Sequence, residues 1–203
     1  MIVINNFNNI NPHLSYESDE DFYFLQIIKR RKDNPNLERS EKTIRNFYLY
    51  KDDLDKFKDT IIKLCIDNNA RAYLYLNKRN IKDVVFEANV LLADYMKSGT
   101  YRAIHSLVDK AIGNKHSDPN KKWILDIDTN DEKEVAKYIE VAIEASNYNE
   151  FKIYTQIKTL NGFHLITKPF NTKKFDQLCV MYKLQSIEIH KDNPTLLYFF
   201  KYD

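Results

Sequence analysis

The amino-acid sequence predicts a mixed α+β protein whose C-terminal part forms a layered sheet. Three observations lead to this prediction. Short runs of β-branched and aromatic residues alternate with segments whose apolar residues recur at helical spacing. From residue 122 to residue 203 these patterns follow the order strand, helix, hairpin, helix, strand and strand. That order is typical of the ferredoxin-like or RNA-recognition type of sheet, in which both helices cover one face.

The composition is that of a soluble domain. The chain of 203 residues is 43% hydrophobic and 30% charged, and it has no apolar run of the length that crosses a bilayer. Its N-terminus has neither the basic start nor the apolar core of a signal peptide. Cys65 and Cys179 make no Cys-x-x-Cys pair, which argues against a zinc site. We therefore expect a cytoplasmic protein with no membrane partner.

The first part of the chain is predicted to be an arm followed by an α/β module. Residues 1–20 are rich in asparagine and are predicted to be irregular, with at most a short strand at 2–4. Residues 21–121 are predicted to form the module, which begins with a strand or short helix at 21–28. Its other predicted elements are a strand at 43–50, an amphipathic helix at 52–67, a strand at 71–76 and a helical region at 83–112 that breaks near Ser98-Gly99.

Two features of this module place positive charge where a phosphate could bind. The basic run at 29–32 is typical of a solvated surface, and near a phosphate site it would also guide a nucleic-acid strand. In the strand at 71–76, Arg71 shares a face with Tyr73 and Tyr75, as in a nucleotide-binding platform or in plain strand packing. The formal net charge is only +2, so nucleic-acid binding would need a local patch of this kind.

The catalytic module is predicted at 122–203, packed with the preceding module as one domain, and it opens with two aspartates at the end of a strand. Apolar residues at both parities of 122–129 predict a buried strand. Because side chains alternate along a strand, Asp126 and Asp128 share one face, roughly 7 Å apart. Mg²⁺ and Mn²⁺ prefer oxygen ligands, and paired carboxylates repel unless a cation lies between them. The pair therefore predicts a divalent-metal site, unless both acids point into solvent and help to start the next helix.

Helices and strands of the predicted sheet follow this pair. Thr129 and Glu132 have the spacing of a capping box and predict a helix from about residue 130 to about residue 145. A second helix is predicted from Asn171, and two strands at 186–190 and 195–201 end the chain.

A hairpin is predicted between the two helices. The Asn-Gly dipeptide at 161–162 separates two β-rich runs, which is the strongest short-range hairpin pattern. A two-residue loop would pair Leu160 with Phe163 and would place Thr159 opposite His164.

Together these motifs resemble those of the archaeo-eukaryotic primase superfamily, which includes the primase-polymerases of phages and plasmids and the polymerase domains of bacterial end-joining ligases. The family's first motif is an apolar strand with Asp-x-Asp, which matches Asp126 and Asp128. Its second motif is similar to Ser-x-x-Gly-x-His, and here Thr159 takes the hydroxyl position, followed by Gly162 and His164. The resemblance covers about 40% of the chain, residues 122–203.

The family's third motif is a single acid on a later strand. Glu188 and Asp192 have the same strand parity, and Asp192 is favoured because it lies nearer the turn. His190 shares that parity and would bind phosphate or pack.

The resemblance implies a template-dependent nucleotidyltransferase, a primase or polymerase from a phage or mobile element acting in a bacterial host. Asp126, Asp128 and the third acid would hold two Mg²⁺ or Mn²⁺ ions. The partners implied are nucleoside triphosphates and single-stranded or primed nucleic acid, and any helicase or replication factor would be a separate chain because no Walker-type loop is present. The implied nucleotide-binding residues are Thr159, Gly162 and His164. Lys168, which has the same hairpin parity as His164, and Arg71 are further candidates for phosphate or template contact.

Other functions also fit the sequence. A degenerate or accessory primase-like protein would bind nucleotide or nucleic acid without synthesis. Residues 164–167 resemble the His-x-Thr half-motif of the 2H phosphoesterases, although the second candidate half, at 190–192, lacks the hydroxyl. In a non-catalytic interaction protein, the paired aspartates would only cap a helix.

Overall fold

A computed structural model of the protein describes residues 1–115, 118–146 and 152–201. Within these ranges it contains two antiparallel sheets and six α-helices, so the α+β class is confirmed. In the same ranges no helix has both the length and the apolar character needed to cross a membrane.

The described strands are β1 (Ile2–Asn5), β2 (Asp21–Arg30), β3 (Glu41–Leu49), β4 (Arg71–Tyr75), β5 (Arg79–Asn80), β6 (Trp123–Ile127), β7 (Ile153–Lys158), β8 (Phe163–Thr167), β9 (Glu188–His190) and β10 (Pro194–Lys201). The described α-helices are α1 (Phe7–Ile10), α2 (Asp53–Asn68), α3 (Ile81–Ser98), α4 (Leu107–Asn114), α5 (Glu132–Glu144) and α6 (Thr172–Met181). Short 3₁₀ segments follow α1 and precede α4, at Asn11–His13 and Tyr101–Ser106.

The first sheet has the strand order β1-β10-β4-β2-β3, with β5 beside the start of β2. One face packs on α2, where Leu25 and Leu74 meet Ile61 and Cys65 in the largest apolar core. The alternating residues of β2 point the other way, and their aromatic rings pack under α3 and α4. The predicted break between helices is confirmed, because Gly99 ends α3 with a φ of 71° that favours glycine.

The second sheet has the strand order β7-β8-β6-β9. Its helix-side face carries Leu125, Ile127 and Leu165, which pack on α5 and α6. Residues of opposite parity, such as Ile124 and Ile166, instead join the core of the first sheet. Since Asp126 has the parity of Ile124, the fold turns this acid toward the first sheet.

The first and last described strands pair with each other in the first sheet. The short strand expected within the N-terminal arm is present as β1, which pairs with β10, and Phe7 and Ile10 are buried. At the other end, β10 lies in the first sheet between β1 and β4. Residues 122–203 therefore contribute to both sheets, because their last strand completes the sheet built by the N-terminal part.

The predicted capping residue is confirmed for one of the two helices that pack on the second sheet and is wrong for the other. Asn171 caps α6, as predicted, by accepting a hydrogen bond from the Lys174 amide. At α5, Asp131 takes the cap position and accepts from the Lys133 amide at 2.9 Å. The predicted Thr129 cap is wrong, since the Thr129 hydroxyl instead accepts from the amide of Asp131 at 3.2 Å.

Candidate active site

Asp126 and Asp128 lie between two clefts at the C-terminal end of β6. The first, which we call the inter-sheet cleft, has a volume of about 310 Å³ and opens between the two sheets. Basic and imidazole side chains from both sheets share its lining with the two acids. The lining residues are Arg30, Lys32, Arg71, Tyr73, Asp126, Asp128, Thr159, Leu160, Asn161, His164, His190, Asn193, Pro194 and Leu196.

The second, which we call the acidic cleft, lies on the side of the same carboxylates that faces α5 and β9. It has a volume of about 340 Å³. Its lining includes Asp126, Asp128, Glu134 and Glu188, together with Tyr138 from α5. Carboxylates gathered in this way attract cations, whereas the basic groups of the neighbouring cleft attract anions. The end of β6 is therefore a boundary between surfaces of opposite charge.

Two histidines, one from each neighbouring strand, lie on either side of Asp126. His164 stands directly opposite on β8, and its Nε2 lies 3.4 Å from Oδ1 of Asp126. On the other side, Nε2 of His190 lies 3.9 Å from Oδ2. Contact with His164 is the main reason that the pKa of Asp126 lies below its ordinary value; burial opposes this, and the charges of His190 and Lys32 add to it. Asp126 is therefore ionised at neutral pH.

The Nδ1 atom of each of these histidines lies within hydrogen-bonding distance of a residue in the β9–β10 region. Nδ1 of His164 lies 2.8 Å from the hydroxyl of Thr195, a fully buried residue of β10. Nδ1 of His190 lies 2.9 Å from the side-chain amide nitrogen of Asn193. Because that amide nitrogen donates, Nδ1 accepts, and a neutral His190 ring carries its proton on Nε2, toward the carboxylates. Both rings are thus oriented with Nε2 in the cleft.

The hairpin that carries His164 has a longer loop than predicted. Its last pairs are Ile157 with His164 and Lys158 with Phe163, which leaves a four-residue loop at 159–162. The prediction of a two-residue loop is wrong because the loop keeps negative φ, whereas a type I′ turn needs positive φ at both central residues. The Thr159 hydroxyl closes the loop by accepting from the Gly162 amide at 3.1 Å.

Gly162 brings this loop against the strand end that carries the acids. A β-carbon placed on Gly162 would lie 2.0 Å from the carbonyl oxygen of Ile127 and 2.7 Å from the amide nitrogen of Thr129. Those two groups flank Asp128, so the loop and the acid-bearing segment touch backbone to backbone. Thr159, Gly162 and His164 are therefore brought together with Asp126 and Asp128 at one place.

The structure separates the two candidates for the third acid. Glu188 stands directly opposite Asp126 across the β6–β9 pair and lines the acidic cleft. Asp192 lies outside both clefts. Its carboxylate accepts from the buried Arg79 at 2.6 Å and from the Asn77 amide at 3.1 Å. Asp192 thus joins a buried ion pair, whereas Glu188 lies beside the paired acids.

The predicted cations also lie in different places. Arg71 lines the inter-sheet cleft, but Asp33 holds its guanidinium through two hydrogen bonds of 2.7 Å. Lys168 follows the last residue of β8, which pairs with Trp123 at the start of β6. Because His164 pairs with the opposite end of β6, Lys168 lies at the far end of the sheet from the acids.

Two cations of the cleft were not assigned to the site from sequence. Arg30 donates to the Tyr73 hydroxyl at 3.1 Å on the floor of the cleft. Lys32 lies beside it, and burial together with the charges of Arg71 and Arg30 lowers the pKa of Lys32. Positive charges crowded in this way attract anions. Their sequence signature was the basic run at 29–32, whereas no local pattern pointed to Thr195 or Asn193.

Two further observations bear on the chemistry of the site. Within the described ranges, no three His, Cys, Asp or Glu side chains are already arranged to hold a metal ion. Thr167, which completes the phosphoesterase-like pattern at 164–167, is fully buried. Its parity is that of Leu165, so it lies on the helix side of β8, opposite to His164.

Comparison with known proteins leaves the function to be argued from the site itself. No family model matches the chain, and no similar curated protein or solved structure is found.

Proposed function

We propose that the protein is a primase-polymerase-like nucleotidyltransferase that adds nucleotides to a nucleic-acid strand. The observation that carries the proposal is the position of Asp126 and Asp128 at the boundary between the acidic cleft and the inter-sheet cleft. Nucleotidyl transfer needs carboxylates for divalent ions and cations for the triphosphate. Both kinds of group meet at the end of β6.

The topology of the second sheet supports the same proposal. Its order β9-β6-β8-β7, with α5 and α6 on one face, is the order expected of a ferredoxin-like sheet. The sequence resemblance to primases implies a sheet of this kind, with the paired acids on its central strand.

The donor groups fit Mg²⁺ or Mn²⁺, which prefer oxygen ligands. Asp126 is held in the carboxylate form, and Glu188 stands directly opposite it. We therefore assign the role of third acid to Glu188 rather than to Asp192, and Asp126, Asp128 and Glu188 would hold the metal. When bound, a pair of divalent ions would stabilise the attacking and leaving oxygens.

His164, Arg30 and Lys32 would bind the triphosphate in the inter-sheet cleft. His164 directs Nε2 into the cleft because Thr195 holds Nδ1, and its hydrogen bond to a phosphate would be charge-assisted. Arg30 and Lys32 supply positive charge from the facing sheet. Thr159 and Gly162 act through the loop, which positions the acid-bearing segment.

The test is incorporation of labelled nucleotides on single-stranded and primed templates with Mg²⁺ or Mn²⁺. We expect Asp126→Asn and Asp128→Asn to abolish incorporation. We expect His164→Ala to reduce it about 10- to 100-fold, the effect of losing a charged hydrogen bond of roughly 1.5–3 kcal/mol. His105→Ala, in the 3₁₀ segment before α4, is the matched control and should retain full incorporation.

Full nucleotide incorporation by the Asp126→Asn, Asp128→Asn double variant would contradict the proposal. If the parent protein incorporates nothing but is stabilised by nucleoside triphosphates, the accessory, binding-only function takes its place.

A further inference from the structure

The hairpin of β2 and β3 carries a local excess of positive charge. Residues 29–45 contain seven Lys or Arg and three Asp or Glu, a formal net charge of +4. The whole chain has a net charge of +2, so all the other residues together carry −2. The hairpin is therefore the local basic patch that nucleic-acid binding by this nearly neutral protein requires.

Three of these cations form what we call the hairpin surface, made of Lys29, Lys42 and Arg45. Lys29 and Lys42 stand directly opposite each other across the two strands, and Arg45 is opposite Ile27 on the same face. Like charges in directly opposed positions destabilise a strand pair. In the part of the chain that the structure describes, none of the three forms an ion pair with an acid. An external anion would relieve this repulsion.

Aromatic rings lie next to the hairpin surface. The guanidinium of Arg45 lies 4.8 Å from the centre of the Phe47 ring. That ring packs against Phe57, with centroids 5.6 Å apart, and Phe57 is 37% exposed. Cations beside an exposed aromatic ring are the combination that binds single-stranded nucleic acid, because phosphates pair with the cations and bases stack on the ring.

The same hairpin also contributes to the candidate active site. Arg30, which follows Lys29, and Lys32, in the turn after β2, line the inter-sheet cleft. Since successive strand residues point to opposite faces, the end of the hairpin presents cations on both sides. A nucleic-acid strand that crosses the end of this hairpin would therefore meet cations on both of its faces.

We propose that the hairpin surface binds the phosphate backbone of single-stranded nucleic acid without sequence preference. The inference rests on the proposed function in one respect, that the bound strand would be the template or primer. Its binding chemistry is independent of catalysis and is measured without metal or nucleotide.

The test is fluorescence anisotropy of a labelled oligodeoxythymidylate titrated with the protein at several salt concentrations. For single strands, log K falls with log salt by roughly 0.7 for each phosphate contact. The double variant Lys29→Gln, Lys42→Gln should reduce that slope by about 1.4, and at about 0.1 M salt it should bind about 25-fold more weakly. Its thermal stability should not fall, because two opposed like charges are removed.

The control is Lys97→Gln, Lys133→Gln, which removes the same charge from exposed positions on α3 and α5. It should bind like the parent. Equal losses in both double variants would overturn the proposal, and so would an unchanged slope in Lys29→Gln, Lys42→Gln. Binding of anionic lipid vesicles, but not of the oligonucleotide, would overturn it in favour of a membrane surface.

The two proposals fail separately. Oligonucleotide binding through the hairpin surface without nucleotide incorporation would remove the proposed function alone. Incorporation with unaltered binding by Lys29→Gln, Lys42→Gln would remove only this inference.

Discussion

At the scale of single residues, the candidate site depends on how closely one loop approaches β6. The loop at 159–162 touches the backbone on both sides of Asp128, and it can do so because Gly162 has only a hydrogen where other residues have a β-carbon. Sequence alone pointed to Gly162 through a hairpin pattern and a family motif. The structure gives a different physical reason, which is close backbone approach rather than a turn with positive φ.

Gly162→Ala should therefore disturb both stability and activity. The added β-carbon forces the loop or the Asp128 segment to move, and overpacking of this kind costs about 1–3 kcal/mol of the free energy of unfolding. Urea unfolding measures the first effect and nucleotide incorporation the second.

Gly113→Ala is the matched control. Gly113 lies in α4 with no atom within 4 Å of an added β-carbon, so alanine should be neutral or raise stability by up to about 1 kcal/mol. If Gly162→Ala were as stable as Gly113→Ala, the close approach would not constrain the site.

At the scale of elements, the start of α5 determines the path of the chain just after the acids. The capping-box pattern identified the right helix but the wrong cap, because Asp131 rather than Thr129 accepts from the first turn. Local spacing predicts that a helix begins nearby. Which of two nearby polar residues, Thr129 or Asp131, becomes the cap depends on the path of the chain after the end of β6.

Asp131→Ala should lower the free energy of unfolding by about 1 kcal/mol, the usual effect of losing an N-cap. Thr129→Ala should cost clearly less, since its hydroxyl serves the preceding turn. Urea unfolding of the two variants measures both losses of unfolding free energy. A larger loss in Thr129→Ala than in Asp131→Ala would show that Thr129 is the N-cap.

Asp21, at the start of β2, should make the free energy of unfolding depend on pH. Burial of Asp21 disfavours its charged form, but the Glu17 amide and the side chains of Lys78 and Asn80 donate to its carboxylate and lower its pKa to about 2. Because this pKa is below the ordinary value of 3.8, the contribution to stability is present above about pH 4 and is lost as the pH falls toward 2.

Asp21→Asn should accordingly be less stable than the parent by about 2 kcal/mol near neutral pH. The difference should shrink as the pH falls from about 4 to about 2, because the parent's carboxylate becomes protonated over that range. Urea unfolding of both proteins across this range gives the comparison. A difference that stays constant with pH would show that Asp21 does not titrate as described.

At the scale of the whole molecule, the segments around Arg79 and Asp192 tie the two sheets together. Arg79 is fully buried beside the first sheet, and its partner Asp192 lies in the turn between β9 and β10. Asn77 adds hydrogen bonds to the carbonyl oxygens of Lys122 and Lys191. Asp192, which was favoured as a metal ligand because it lies nearer the turn, thus serves the junction of the two sheets.

Asp192→Ala and Glu188→Gln should therefore have opposite effects. Asp192→Ala leaves a buried guanidinium without its carboxylate and should cost about 3–5 kcal/mol of the free energy of unfolding. Glu188→Gln alters an acid that is 79% exposed, so it should leave stability unchanged and abolish metal-dependent incorporation.

Thermal unfolding and nucleotide incorporation, measured on both variants, separate the two roles. A stable Asp192→Ala protein without incorporation would return the third-acid role to Asp192.

The amino-acid sequence by itself determined which segments are strands and helices from β3 onward, apart from the two-residue β5, and it placed Asp126 and Asp128 on one face of a buried strand. These properties follow from local periodicity, since neighbouring residues alone decide which side chains share a face. Tertiary structure decided that β10 completes the first sheet, that Glu188 rather than Asp192 stands opposite Asp126, and that Arg30 and Lys32 enter the cleft. Each of these depends on pairing between strands far apart in the chain, where several registers satisfy the same local pattern and only the packing of the whole core selects one.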